Sequence, residues 1–481
     1  MKLDIYEKQK GSMLVIALIV TGLFLVLTIG AISYGLLQLK LSRQKVAYSQ
    51  ALQIAEAGVN YYRWVLYHEH EEYCNNETCI GSPNYGPYGP YAYTDSSGKN
   101  ILGYYQLYIT PPAQNGSTIV NIKSIGWLND YPNIKRVIEV KCGIPAWSSY
   151  STLSGGDIRF GEGTEVWGPI HSNGGIRFDG ISHNLITSSL LSYNDPDHSS
   201  SKEFGVHTHH DTVDPFPDSN NPPQNVPARN DVFMAGRSFP VPSISFSLLD
   251  TYASTTLGLA NNGGLVLPSS GTYGYHITLQ ADDSLVIDKV TNVSGNCSGD
   301  PTDRILSFSS YMTTTTPPNG IIFVKDKVWV DGHIDGNRIT ILAFKEPITG
   351  NNTDIVINND ITYTKYDGTD AIGLIAQRNV NVGLYSEDNL QIDAALIAKE
   401  GRVGRFAFAW SDSGSCSKDY WNQNTITING AIATRTRYGF AWTSGSGYTN
   451  RNINYDNNLT FTPPPHFPTT GEYTFISWDE R

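Results

Sequence analysis

The run His207-Thr208-His209-His210-Asp211, with Asp214 and Asp218 close behind, sets imidazoles at alternate positions beside carboxylates. Neutral imidazole nitrogens and carboxylate oxygens together are a donor set for zinc and its first-row neighbours. A metal site also needs a rigid surrounding shell that orients each ligand. The flanking Pro and Asn residues place this run in a mobile loop, so the sequence reads as a solvated polar segment with no metal. A second run, Asp331-Gly332-His333-Ile334-Asp335-Gly336, offers oxygen ligands two residues apart. It lacks the Asp/Asn density and terminal Glu of a calcium loop. Asp331 and Asp335 are also the carboxylate pair that glycoside hydrolysis would demand. Turn residues between strands explain the run more simply, and the expectation is a chain that is not an enzyme and carries no cofactor.

What must position these residues starts at the N-terminus. Ser12 to Leu39 contains no Asp, Glu, Lys or Arg, and its roughly 28 residues would span about 42 Å as a helix. A hydrocarbon core asks for only about 20 apolar residues. A secretory signal puts its small-residue cleavage site after the apolar stretch, whereas Gly11 precedes it, so a cut there keeps the helix in the mature chain. Lys2, Lys8 and Lys10 before the span favour an inside leader, diluted by Lys40, Arg43 and Lys45 behind it. Beyond Gln38 the apolar character narrows to a stripe, Leu41, Ala47, Ala51, Ile54, Ala55, Gly58, Val59 and Tyr62, near helical spacing.

The expected organisation is therefore a leader at 1–11, one membrane-spanning and amphipathic stalk helix over 12–66, a loop and small antiparallel sheet over 67–145, and a β-rich head over 146–481 with an irregular insertion at 196–242. The Pro/Gly/Tyr stretch from Gly81 to Tyr93 reads as loop. Strands follow over Ile101 to Ile109, Thr118 to Trp127 and Ile134 to Lys141, the last alternating apolar and charged residues. In the head, short apolar runs recur between Gly and Asn, and Ile322, Ile341, Ile357, Ile375 and Ile397 fall 16 to 22 residues apart. That spacing suits stacked coils. The fold class is α+β with a parallel β-helix in the head, a β-sandwich being the alternative. Leu248 to Leu259 is a candidate short helix covering a flank.

Net charge is −12 with charged residues at 16%, and no basic stripe lies beyond the stalk, so nucleic acid is excluded as a partner. Five cysteines sit in a region that such a helix would export, where disulfides persist. Cys74 with Cys79 is the first expected pair, Cys297 with Cys416 the second, and Cys142 stays single. Trp329, Trp410, Trp421, Trp442 and Tyr448 either form a ligand-contacting surface or fill the core.

Two segments, Lys10-Gly11-Ser12-Met13-Leu14-Val15-Ile16-Ala17-Leu18 and Ala51-Leu52-Gln53-Ile54-Ala55-Glu56-Ala57-Gly58-Val59, resemble the N-terminal region of PilX-type minor type IV pilins and pilus assembly proteins. The resemblance implies cleavage by a prepilin peptidase between Gly11 and Ser12, methylation of Ser12, and assembly with other pilins and minor pilins through a helix that carries Ile16 and Glu56. Major pilins carry Glu where this chain has Ile16. Burying an unpaired amine is costly, so the absence of that carboxylate fits a minor, initiating or tip subunit. The implied protein sits in the cytoplasmic membrane as a single pass with its head outside, then at the cell surface or in a pilus. Its head would serve adhesion to a glycan, host or substratum ligand, or filament initiation. A pseudopilin of a type II secretion-like system and a membrane-anchored β-helix enzyme acting on polysaccharide are the alternatives.

Overall fold

The computed structural model describes residues 10–113, 116–196, 201–350, 352–408, 415–442 and 444–481, with the side chains of the first helix from Met13 onward. Leader residues 1–9, the insertion's residues 197–200 and Trp410 lie outside the described residues. Two compact units divide the chain. One holds the sequence up to Pro111, Val120–Cys142 and Phe475–Arg481, and the other holds Pro112–Ile119 and Gly143–Thr474.

In the first unit one helix, α1, runs Lys10–His68. It starts before Gly11, because a single Gly costs a helix only about 1 kcal/mol and does not stop it. Its 59 residues span about 88 Å. Every side chain from Met13 to Arg43 is exposed, so Leu41 does not belong to the buried stripe. The stripe begins at Ala47 and continues through Ala51, Ile54, Ala55, Val59, Tyr62, Val65 and Leu66, three or four residues apart.

That stripe docks on an antiparallel meander of β1 (Tyr85–Thr94), β2 (Ile101–Thr110), β3 (Val120–Leu128) and β4 (Lys135–Gly143). On β3 the alternate residues Val120, Ile122, Ser124 and Gly126 face inward. A Cβ on Gly126 would stand 2.3 Å from the backbone nitrogen of Ala55, and one on Gly58 would stand 2.4 Å from Ser124 Oγ. Helix and sheet therefore approach at backbone distance, which only small residues allow.

Two expectations fail in this unit. The Gly81 to Tyr93 stretch is largely strand β1, because at the sheet edge a proline forfeits no ladder bond, and Gly86 and Gly89 at positive φ absorb the shifts in register. The 146–481 boundary also fails, since the C-terminal strand Thr474–Glu480 returns to the small sheet beside β4. There Val137 and Arg481 exchange backbone hydrogen bonds of 3.0 and 2.8 Å.

The second unit is built from parallel ladders. One runs, in stacking order, through Leu265–Leu267, Ile321–Val324, Arg338–Ala343, Ala371–Ala376, Asn389–Ala398, Asn422–Thr434, Thr152–Ser154, Ile170–Ser172, Ile186–Ser188 and Arg237–Ser238. A second stacks Gly274–Leu279, Val328–Ile334, Ile355–Ile357, Val380–Val382 and Val403–Arg405. A third passes through Ile361–Tyr363, Asn389–Ala398, Asn422–Thr434, Gly447–Tyr455, Glu165–Val166 and Ile181–Ser182. These pairings are parallel, which sets aside a sandwich of antiparallel sheets.

The expected repeat mixed two of these ladders. Ile322 stacks on Ile341, then Leu374, Leu396 and Ile432, whereas Ile357 stacks on Val382 in another ladder. The strands Ile321–Val324, Arg338–Ala343 and Ala371–Ala376 of the first ladder are buried on both faces, so they read as nearly unbroken apolar runs. Ile322, Ile341, Leu374 and Leu396 point to the interior with Val330, Ile357 and Val382. Their neighbours Phe323, Leu342, Ile375 and Ile397 pack under α2 (Leu248–Asn261) and Phe467. The tail follows the same flank, where Thr340 donates to the carbonyl of Pro465 at 2.6 Å.

Candidate functional site

The residues that the sequence marks for processing lie at the start of α1, Gly11 and Ser12 within its first turn. Ile16 and Glu56 are both exposed, one in the apolar half and one on the solvent side of the docked half. The helix is long and apolar enough to cross a membrane, and it is the one such helix among the described residues. Because every side chain from Met13 to Leu39 is exposed among the described residues, about 27 residues of apolar surface are available to lipid or to other helices.

The cysteines group as two bridged pairs and one thiol. Cys74 is bonded to Cys79 with Cα atoms 4.9 Å apart, in the segment that leaves α1. Cys297 is bonded to Cys416 across 119 residues. Cys142 is free and buried in β4, and burial pushes its thiol up to about 11 despite the charge of Arg63.

In the second unit a cleft of about 320 Å³ opens beside the second ladder, lined by His276, Arg304, Leu306, Phe308, Asp331 and Tyr385 among others. Asp331 accepts from His276 Nε2 at 2.9 Å and from Asn359 at 2.8 Å. Burial pushes the Asp331 carboxyl up, but the hydrogen bonds and charge of His276 outweigh it and hold the group below its ordinary value. Arg304 stacks its guanidinium 4.5 Å from the Tyr385 ring centre, while Leu306 and Phe308 stand more than half exposed at the rim. Asp335 belongs elsewhere, paired with Lys365 at 2.7 Å and accepting from Thr364 at 2.9 Å. Asp331 and Asp335 share no partner, so the structure does not join them into one acid–base pair.

No protein-family model matches the sequence, and no curated protein matches it. Among solved structures, the competence-associated pilin ComZ from Thermus thermophilus matches at 12% identity, covering 90% of this chain and 97% of that one with a TM-score of 0.31. A score that low does not assign a shared fold.

Of the aromatics expected either to form a surface or to fill the core, Trp329 and Tyr448 are buried, Trp421 is half-buried, and Trp442 is exposed. Trp329, which lines the cleft, donates to the carbonyl of Asp303 at 2.8 Å. The rim aromatics Phe308, Tyr385 and Tyr420 had no signal in the sequence beyond their composition.

The histidine run departs furthest from expectation. His207 is fully buried in a strand, Val206–His207, that pairs in parallel with Ile176–Phe178. Within the 196–242 stretch expected as irregular insertion, Lys202–Phe204 pairs antiparallel with Ser192–Asn194 and is followed by this strand, while most of the residues from Thr208 to Gly236 are irregular. The apolar positions Phe204 and Val206, both fully buried, explain why the segment orders against the ladder. Burial drives the His207 imidazole down to about 4, helped by His209 and opposed by Asp195. Asp214 goes to the arginines, 2.5 Å from Arg237 and 3.3 Å from Arg229. Asp218 caps a turn by accepting from Asn220, and His210 and Asp211 are exposed.

Proposed function

We propose that the chain is a minor type IV pilin or pilus assembly subunit, cleaved by a prepilin peptidase between Gly11 and Ser12, and displaying its β-rich head outside the membrane. The carrying observation is the two-part helix. Its first half is apolar and exposed on every side, and its second half is committed to its own sheet through Ala47, Ala51, Ile54, Ala55, Val59 and Tyr62. A plain anchor gains nothing from the second half. A subunit that packs its helix among like helices while carrying its own sheet needs both.

The ladders of the second unit are read as faces of a parallel β-helix, and the cleft at His276, Asp331, Arg304 and Tyr385 as its ligand-contacting surface. Aromatic faces beside amide and carboxylate groups suit a sugar, whose C–H faces stack and whose hydroxyls hydrogen-bond. Ile16, in place of a carboxylate that would receive a neighbour's amine, favours a position at the tip or the start of a filament.

The test is processing. Gly11→Asp in the native host is expected to leave the precursor at full length in the membrane fraction, while the unaltered chain shortens and appears in sheared filaments. A normal size shift in the Gly11→Asp variant would sink this reading.

A further inference from the structure

Asp195, His207 and His209 each offer one ligand atom, and these atoms all lie within 4.8 Å of one another. We propose that they form a structural site for Zn²⁺ or a similar first-row divalent cation that fastens strands Ser192–Asn194 and Lys202–Phe204 to the strand ending at His207, with Glu203, 3.9 Å from His209, close enough to swing in as a fourth ligand.

The distances are compatible with ligation of one ion. His207 Nε2 lies 3.3 Å from Asp195 Oδ2, and His209 Nε2 lies 3.9 Å from Glu203 Oε1. A hydrogen bond between such atoms would close to about 2.7–3.2 Å. Two ligands about 2.0–2.1 Å from one tetrahedral ion stand roughly 3.3 Å apart. The His207–Asp195 contact is a long hydrogen bond whose 3.3 Å span matches two ligands on one ion, and the 3.9 Å span to Glu203 is beyond direct bonding.

Backbone pairing brings the four residues together. Tyr193 lies opposite Glu203 in the hairpin, which puts Asp195 just beyond one strand and Glu203 on the other. Val206–His207 is held by Ile176–Phe178, and His209 follows on the same side two residues later. The histidine rings stand 5.0 Å apart at 57°. Asp195, Glu203 and His207 are at most 4% exposed, so the site is enclosed as a structural zinc site is.

Charge and donor type narrow the choice of ion. The two carboxylates match a dication, and each imidazole ring offers one nitrogen to it. Arg177 comes within 3.7 Å of Asp195, while its Nε is held at 2.8 Å by Asp179, which also faces Arg159 at 3.8 Å. Two imidazole nitrogens exclude Ca²⁺ and Mg²⁺, which take oxygen ligands.

The experiment uses the full chain in detergent, stripped with chelator and titrated with Zn²⁺ against a chromophoric competitor, with Co²⁺ as a spectroscopic probe. One Zn²⁺ per chain is expected, with visible absorption from four-coordinate Co²⁺ and a higher melting temperature for the second unit. Asp195→Asn, which keeps the side-chain shape, and His209→Gln, at the more accessible edge, should each weaken Zn²⁺ at least a hundredfold while leaving the far-ultraviolet circular dichroism of the stripped protein unchanged. Failure to bind Zn²⁺ stoichiometrically, or binding unaltered in both variants, overturns the site. Should one variant misfold, the other decides.

Discussion

Gly126 shows how one missing side chain sets the geometry of the first unit. A Cβ there would press on backbone atoms of Ala51 and Ala55 at 2.5 and 2.3 Å, and backbone cannot rotate away as a long side chain can. Gly126→Leu should therefore push α1 off β3 and destabilise the first unit by about 3 kcal/mol, the upper range for overpacking. Gly30→Leu, where a Cβ meets nothing within 4 Å among the described residues beyond its own helix backbone, is the matched control. The check is thermal unfolding followed by proteolysis at Arg63, and equal stability in both variants would refute the close packing. The same scale separates what the sequence disclosed from what it hid around the histidines. The alternation of His207 and His209 was visible as a same-face pair. Asp195 and Glu203 were invisible because they depend on the hairpin register, which no local pattern states.

At the level of elements, legibility followed how strongly each segment obeyed one period. α1 was readable almost to its ends because the charge-free run and the later stripe share one helical spacing, and β3 and β4 were readable because they alternate. β1 was missed because Pro87 and Pro90 look like loop and are tolerated only at an edge, a fact about neighbours. The final strand Thr474–Glu480 was missed for a similar reason: all its residues are exposed, so no apolar pattern marks it. The two disulfides differ in the chain they close. Cys297–Cys416 spans 119 residues and Cys74–Cys79 spans 5. Loop-closure entropy gives about 5 kcal/mol to the first and about 2 to the second. The double variant Cys297→Ser/Cys416→Ser should accordingly lower the melting temperature of the second unit well beyond what Cys74→Ser/Cys79→Ser does to the first. Calorimetry on the full chain measures both, and an equal or reversed order would show that native-state contacts outweigh chain entropy here.

For the whole molecule, the order of stacking matters more than the order of the sequence. Chain entering the head at Thr152–Ser154 does not begin the stack but lands in its middle, on Asn422–Thr434, and the strands up to Arg237–Ser238 then build outward from there. The strands from Leu265 onward approach the same place from the far side, ending at Ile432 opposite Thr152. Periodicity could suggest a stack, yet it could not show this junction, because the rungs at Ile341, Leu374, Leu396 and Ile432 are separated by unequal insertions. The junction has a mechanical consequence. A single cut in the exposed stretch between Asp218 and Pro227 leaves one fragment carrying Thr152–Ser154 and Ile186–Ser188, and the other carrying Asn422–Thr434 and Arg237–Ser238, so each fragment is held by backbone ladders to the other. An engineered protease site there should yield two fragments that co-elute at the size of the uncut chain and separate only in denaturant. Separation in native buffer would mean that the head is two sequential bodies, and the interleaved stack described here would be wrong.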